Sequence, residues 1–260
     1  MTIKSSLLGL LIYAALAFYA AAFALGSPAR RPFGRRLVEA GCVCALGAVV
    51  WRALSTGHIP LQNLFEVFLV MGALMAPLSR FRRRWPAAGE RMDPLLGAIL
   101  LFPAGFIFPE TPRPLPPALQ SPLFAPHVLV YLVAYVFMAK AAITAAGLFG
   151  RRTAPEQEAL DRSAHALASW GYPLLTLGLI LGAWWGKRAW GDYWHWDPKE
   201  MWALATWLIF TGYFHARTLL GREPKRLYAG LLLAGLAAII LTLSWVNLSK
   251  LFVGLHSYAM

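Results

Sequence analysis

The sequence predicts an all-α polytopic membrane protein with about eight transmembrane helices and both termini on the outer, periplasmic side. Hydrophobic residues make up 58% of the 260 and charged residues only 14%, whereas a soluble domain carries about 25% charged residues to wet its surface. Apolar stretches of bilayer length recur along the chain, and the basic residues between them alternate in density. The expected organisation is a single integral membrane domain, 1–260, with an outer loop at 187–201.

A bilayer core of about 30 Å requires about 20 apolar residues per helix. Spans are read at 5–25, 37–55, 61–79, 93–109, 124–149, 166–186, 202–220 and 227–247. The first has no charge from Ser5 to Leu25. It lacks the basic start and small-residue cleavage site of a signal peptide, so it is expected to be kept. The fourth is short and interrupted by Pro94 and Pro103, which weakens its helical continuity.

One alternate set of loops holds Arg30, Arg31, Arg35 and Arg36, then Arg80, Arg82, Arg83, Arg84 and Arg91, then Arg151, Arg152 and Arg162, then Arg222, Lys225 and Arg226. That is 15 basic residues, against seven on the opposite side (Lys4, Arg52, Arg113, Lys187, Arg188, Lys199 and Lys250). Basic residues concentrate in cytoplasmic loops, which fixes the orientation. The net charge of +12 therefore marks a membrane face and does not point to nucleic acid. The inner loops contain no G-x-x-x-x-G-K-[ST], so a transport ATPase or kinase is disfavoured.

Orientation gives each histidine a depth. His58, His127, His195 and His256 lie at the outer face, and His165 lies at the inner edge of the sixth span. His215 lies 13 residues beyond Trp202, roughly 20 Å below the outer surface. A histidine in a membrane helix can simply bond a neighbouring helix, the bland reading for His165. His195 is read equally well as an interfacial aromatic-belt residue. His215 is a functional candidate, because ionisable groups inside membranes are costly. Zinc sites usually add Cys or carboxylates. Cys42 and Cys44 point to opposite sides of a helix and read as packing. Haem suits the composition better, since iron takes axial imidazoles while aromatic side chains cover the ring.

Six of the eleven Trp fall within Ala183–Trp202, A-W-W-G-K-R-A-W-G-D-Y-W-H-W-D-P-K-E-M-W. Interfacial belts of Trp are common but spread around a protein. Gly186 and Gly191 would let the backbone turn close to a flat ligand. Lys187 and Arg188 offer cations for carboxylates such as haem propionates. Asp197, Pro198 and Glu200 have a structural reading as well: N-cap, first helical residue and capping-box partner of the seventh span.

W-G-D-Y-W-H-W-D-P-K-E resembles the WWD signature of the haem-handling cytochrome c assembly proteins, and its P-K-E continuation is most similar to the CcsA/ResC family of System II. G-H-I-P-L-Q-N-L-F-E at 57–66, P-A-L-Q-S-P at 117–122, P-L-L-T-L-G-L-I-L-G-A at 173–183 and G-L-H-S-Y at 254–258 agree in order. The related CcmC and CcmF proteins share the loop but match the surrounding segments less well.

The resemblance implies a membrane subunit of a cytochrome c synthase, in the inner (plasma) membrane, with its haem site facing the periplasm. Such a subunit carries haem b to the outer face and presents it to the C-x-x-C-H of apocytochrome c. The implied partners are a CcsB/ResB membrane subunit, apocytochrome c and a thioredoxin-like reductant. His127 and His256 match the outer iron ligands, and His215 matches the intramembrane ligand. Trp190, Gly191, Trp194, Trp196 and Asp197 match the loop that covers the ring. His58 is set aside for the outer site or for packing, because it lies too far from the depth of His215 to share an iron. His215 is expected to pair with a histidine of the partner, or with His165. No catalytic nucleophile is expected, since the thiols belong to the substrate. The alternative is a haem-binding regulatory protein or haem exporter without attachment activity.

Overall fold

The computed structural model describes residues 3–25, 32–81, 92–245 and 254–256. Among the described residues the fold is all-helical, with eight α-helices in the order of the eight expected spans. Among the described residues, five helices are long and apolar enough to cross a membrane. Arg30, Arg31, Arg82, Arg83, Arg84, Arg91 and Lys250, on which part of the charge alternation rests, lie outside the described residues.

The chain forms two compact units, Met1–Leu115 and Pro116–Met260. The first holds α1 (Leu7–Ala24), α2 (Pro32–Thr56), α3 (Leu64–Phe81) and α4 (Met92–Phe106). Ser6 caps α1 by accepting the Gly9 N–H at 3.0 Å, the role for which a short hydroxyl is favoured before a helix. Lipid supplies no hydrophobic drive between helices, so close packing must hold them. Tyr19 of α1 is fully buried against Gly41 of α2 and Gly97 of α4, and its hydroxyl donates to Gly72 O of α3 at 3.1 Å. The helix α4 runs through both prolines as one piece, contrary to the expected interruption. Pro94 falls in the first turn, where its missing N–H costs nothing, and Pro103 lies near the C-terminal end.

An ion pair ties the segment after α2 to this unit. Arg52 Nε donates to Glu66 Oε1 at 2.9 Å, with side chains 2% and 0% exposed. The other Glu66 oxygen accepts Gln62 N–H at 2.8 Å, and Arg52 Nη1 donates to Glu110 O at 2.6 Å. Each buried charge thus has an opposite charge and further hydrogen bonds, which a charge withdrawn from water requires.

The second unit holds α5 (Phe124–Ala146), α6 (Ala154–Trp190), α7 (Pro198–Leu220) and α8 (Lys225–Ile240). The span of α5 is 67% buried, against 28% for α6 and 39% for α8, which makes α5 the central helix, packed on α6 and α8. The helix α6 has 37 residues, about 55 Å at 1.5 Å each, and overruns the expected 166–186 at both ends. Thr153 and Glu156 form a capping box at its start, Gly191 ends it with φ +97°, and Pro173 lies inside it. At the far end of this unit Arg217 of α7 clasps Asp161 of α6 with two bonds, 2.7 and 2.5 Å, and lies over the Tyr228 ring of α8.

Candidate functional site

The aromatic segment is less of a loop than its composition suggests. Trp184, Trp185 and Trp190 ride on α6, and only residues 191–197 leave the helix. Gly191 makes the expected turn in the left-handed region, where a Cβ would be strained. Gly186 does not: it is helical and buried, because the helix continues for one more turn. Lys187 folds over this end, donating to Gly191 O at 2.6 Å with its ammonium 5.5 Å from the Tyr193 ring centre.

Asp197 starts α7 as expected. Its Oδ1 accepts Lys199 N–H at 2.9 Å, and Glu200 Oε2 accepts the N–H groups of Asp197 and His195 at 3.1 and 2.8 Å. Its second role is not local. Oδ1 also accepts from His256 Nδ1 at 3.0 Å, and Oδ2 accepts Leu255 N–H at 2.6 Å, so one carboxylate holds both a helix start and the tail. Burial alone would raise the Asp197 carboxyl, but the bonds from His256 and the two backbone N–H groups outweigh it and hold it at about 2. Burial pushes the His256 imidazole down. Asp197 and Glu200 oppose that fall and Lys199 adds to it.

His127 projects from the first turn of α5 into a seat on α6. Its Nδ1–H donates to Gly178 O at 3.0 Å. Gly182 leaves the space for its ring, since a Cβ there would come 2.6 Å from His127 Cε1. The Trp185 indole stacks on the imidazole at 5.6 Å and 19°. The same indole meets His256 at 5.6 Å, and Trp190 meets His256 at 4.7 Å. The two histidines, 129 residues apart in the chain, therefore share one aromatic neighbour.

A carbonyl or carboxylate can only accept, so the histidine nitrogen facing it carries the proton and the lone pair falls on the other. His127 faces Gly178 O, His256 faces Asp197, His215 faces Thr211 O at 3.0 Å, and His58 faces Ile59 O at 3.0 Å, all through Nδ1. All four imidazoles thus carry the lone pair on Nε2, as metal-binding imidazoles typically do. His165 differs, since its Nδ1 lies 3.0 Å from the Tyr213 hydroxyl, where either atom can donate. His195 Nδ1 stands 3.9 Å from Glu200 Oε1.

The structure thus gathers His127, His256, Trp190, Gly191 and Asp197 at one end of the second unit. Trp194 and Trp196 pack edge to face at 6.0 Å within the same turn. Trp196 has φ +56° and is 67% exposed. His215 does not join them. It lies exposed on α7, 18 residues beyond Asp197, about 27 Å along the axis. His58 belongs to the first unit. Trp185 was not among the expected site residues. The spacing of Gly178, Gly182 and Trp185 on one helical face was the available signal.

Among the described residues, no three His, Cys, Asp or Glu side chains gather as a metal ion would need. Imidazoles with lone pairs on Nε2 beside indoles are side chains of the kind that could hold haem.

The family model for the cytochrome C assembly protein matches residues 35–256. The cytochrome c biogenesis protein CcsA of Synechococcus sp. (strain RCC307) is 31% identical over 266 residues, covering 85% of this chain and 83% of that one. Its counterpart in Prochlorococcus marinus (strain NATL1A) is 33% identical over 269 residues, covering 86% and 84%. Among solved structures, the cytochrome c haem lyase CcmF superposes with a TM-score of 0.70 at 21% identity over 94% of this chain. This chain spans about half of that protein, 48%, and the likeness shows a shared fold.

Proposed function

The chain belongs to the cytochrome c assembly protein family, and from that premise we propose that it carries haem b across the membrane and presents it for attachment to apocytochrome c. Membership makes it a multi-pass membrane protein of cytochrome c maturation. The reading of a haem-presenting subunit rests on one observation above all: His127 and His256, each fixed through Nδ1, meet at Trp185.

Attachment adds each cysteine S–H of a C-x-x-C-H motif across a haem vinyl group. An S–C bond forms, the C=C becomes single, and the thiol proton ends on the neighbouring carbon. The substrate supplies the nucleophile, so the contribution of this chain is position. His127 and His256 hold the iron, and Trp190, Trp194 and Trp196 with Gly191 line the ring. Asp197 keeps His256 in its ligating tautomer. The histidine of the C-x-x-C-H then replaces one of these ligands.

His215 is exposed, with Nε2 directed away from its own helix bond to Thr211. An exposed imidazole in a membrane helix suits a ligand completed from outside this chain, and we assign its counterpart to a CcsB/ResB-type subunit. His165 is less suited, because the Tyr213 hydroxyl at its Nδ1 can donate as well as accept and so does not fix the lone pair on Nε2. A thioredoxin-like reductant keeps the substrate thiols reduced, and the site faces the outer side of the plasma membrane.

A visible spectrum of the purified chain tests the ligand assignment. The wild type should give a low-spin bis-imidazole spectrum, which the H127A/H256A double variant should lose. Equal haem binding by the two would refute it. With the partner present, thioether formation on a C-x-x-C-H peptide separates a synthase from a haem exporter.

A further inference from the structure

We propose that Trp185 is the positioning residue of the site, the side chain that sets the planes of both axial imidazoles before haem arrives. The proposal rests on reading His127 and His256 as haem ligands. A hydrogen bond at Nδ1 fixes one point of an imidazole and leaves the ring free to rotate about that point. A second contact on the ring face removes this freedom. For His127 that contact is Trp185, stacked at 5.6 Å and 19°. His256 is bounded by two indoles, Trp185 tilted at 5.6 Å and 56° and Trp190 near perpendicular at 4.7 Å and 74°.

The indole is itself fixed at several points. It is 1% exposed, and its Nε1 donates to Ala118 O at 2.9 Å, in the short 3-10 turn Pro117–Gln120 before α5. Phe124 and Trp190 pack on it with centroids 5.8 and 4.7 Å away. An interfacial-belt Trp keeps its N–H in water and its ring in lipid. Trp185 does neither, whereas its neighbour Trp184 is 50% exposed. Gly182, three residues earlier on the same face of α6, admits the His127 ring beside the indole, and Gly178, seven residues earlier, lends His127 its carbonyl. The face of α6 below His127 is thus shaped for one ring orientation, and Trp185 carries that orientation to His256.

The experiment titrates haem into the purified full chain as wild type, W185F, W185L and H127A/H256A, reading affinity and spin state from the visible spectrum. Circular dichroism checks helix content. W185L removes the aromatic contact and should weaken haem binding about 10-fold or more, the scale seen when an outer-shell partner of a ligand is lost, with a high-spin component appearing. W185F keeps a ring but drops the bond to Ala118 O, and should give a smaller change in the same direction. If both variants keep the wild-type affinity and low-spin spectrum while H127A/H256A loses them, Trp185 does not position the ligands. Should W185L fail to fold, an unaltered W185F spectrum overturns the proposal by itself. A wild type that takes up no haem, or a double variant that takes it up unchanged, removes the ligand reading and the proposal together.

Discussion

Asp197 and His256 stand 59 residues apart and meet at 3.0 Å, the carboxylate accepting the Nδ1 proton while it also caps α7. Substitution can separate the two roles. Asn caps a helix about as well as Asp but carries no charge, so D197N should keep the cap and lose only the stability that the charged carboxylate contributes. Its haem affinity should fall 10- to 100-fold as the hold on His256 weakens. D197A should lose the cap as well, a further cost of about 1 kcal/mol. Melting in detergent, paired with haem titration, measures both.

The same pair sets an acid dependence in the haem-free protein. His256 has a native pKa below its ordinary 6.5, so its neutral form stabilises the fold above 6.5 and that contribution is lost as pH falls through the depressed value. Asp197 is held at about 2 against 3.8, so its contribution is complete above 3.8 and disappears between 3.8 and about 2. Unfolded-state protonation drives both losses. Melting temperature against pH should therefore decline in two stages, and D197N should remove the lower one.

Trp196 sits at φ +56° with its side chain 67% exposed, a conformation that costs a non-glycine residue of order 1 kcal/mol. W196G should relax the backbone with little packing lost and raise the melting temperature. If the indole lines the haem, the same variant should also bind haem more weakly. A variant neither stabilised nor altered in haem binding would show that the turn is unstrained.

Glu66 is fully buried beside Arg52. Removing one partner of such a pair leaves an uncompensated charge and costs about 3–5 kcal/mol. R52A should therefore unfold the first unit at lower temperature, and R52A/E66Q should recover part of the loss. His58 lies nearby in sequence, and H58A should leave the spectrum of a haem held at His215 unchanged.

Much of this molecule was legible from its residues, for particular reasons. The helix start at Asp197-Pro198-Lys199-Glu200 was readable because capping is decided within four residues. The ends of α6 were not, since bilayer length set the expected limits while helix propensity and two good caps set the real ones at Ala154 and Trp190. That error also cast Gly186 as a turn. Trp185 was passed over because an interfacial tryptophan has an ordinary explanation, and only its contacts with two distant histidines distinguish it. The contact between Asp197 and His256 leaves no local trace at all.

The proline within α6 has a mechanical consequence. Pro173 has no N–H to offer the carbonyl of Ser169, so the helix bends there more readily than elsewhere. Trp185 lies twelve residues further on, about 18 Å along the axis. A change in bend of about 5° swings the indole by roughly 1.6 Å over that arm, and a misplacement of about 1 Å can cost a positioned reaction about 100-fold. The long helix is therefore a lever: a small adjustment at its fulcrum, Pro173, is magnified at Trp185, the indole that touches both imidazoles.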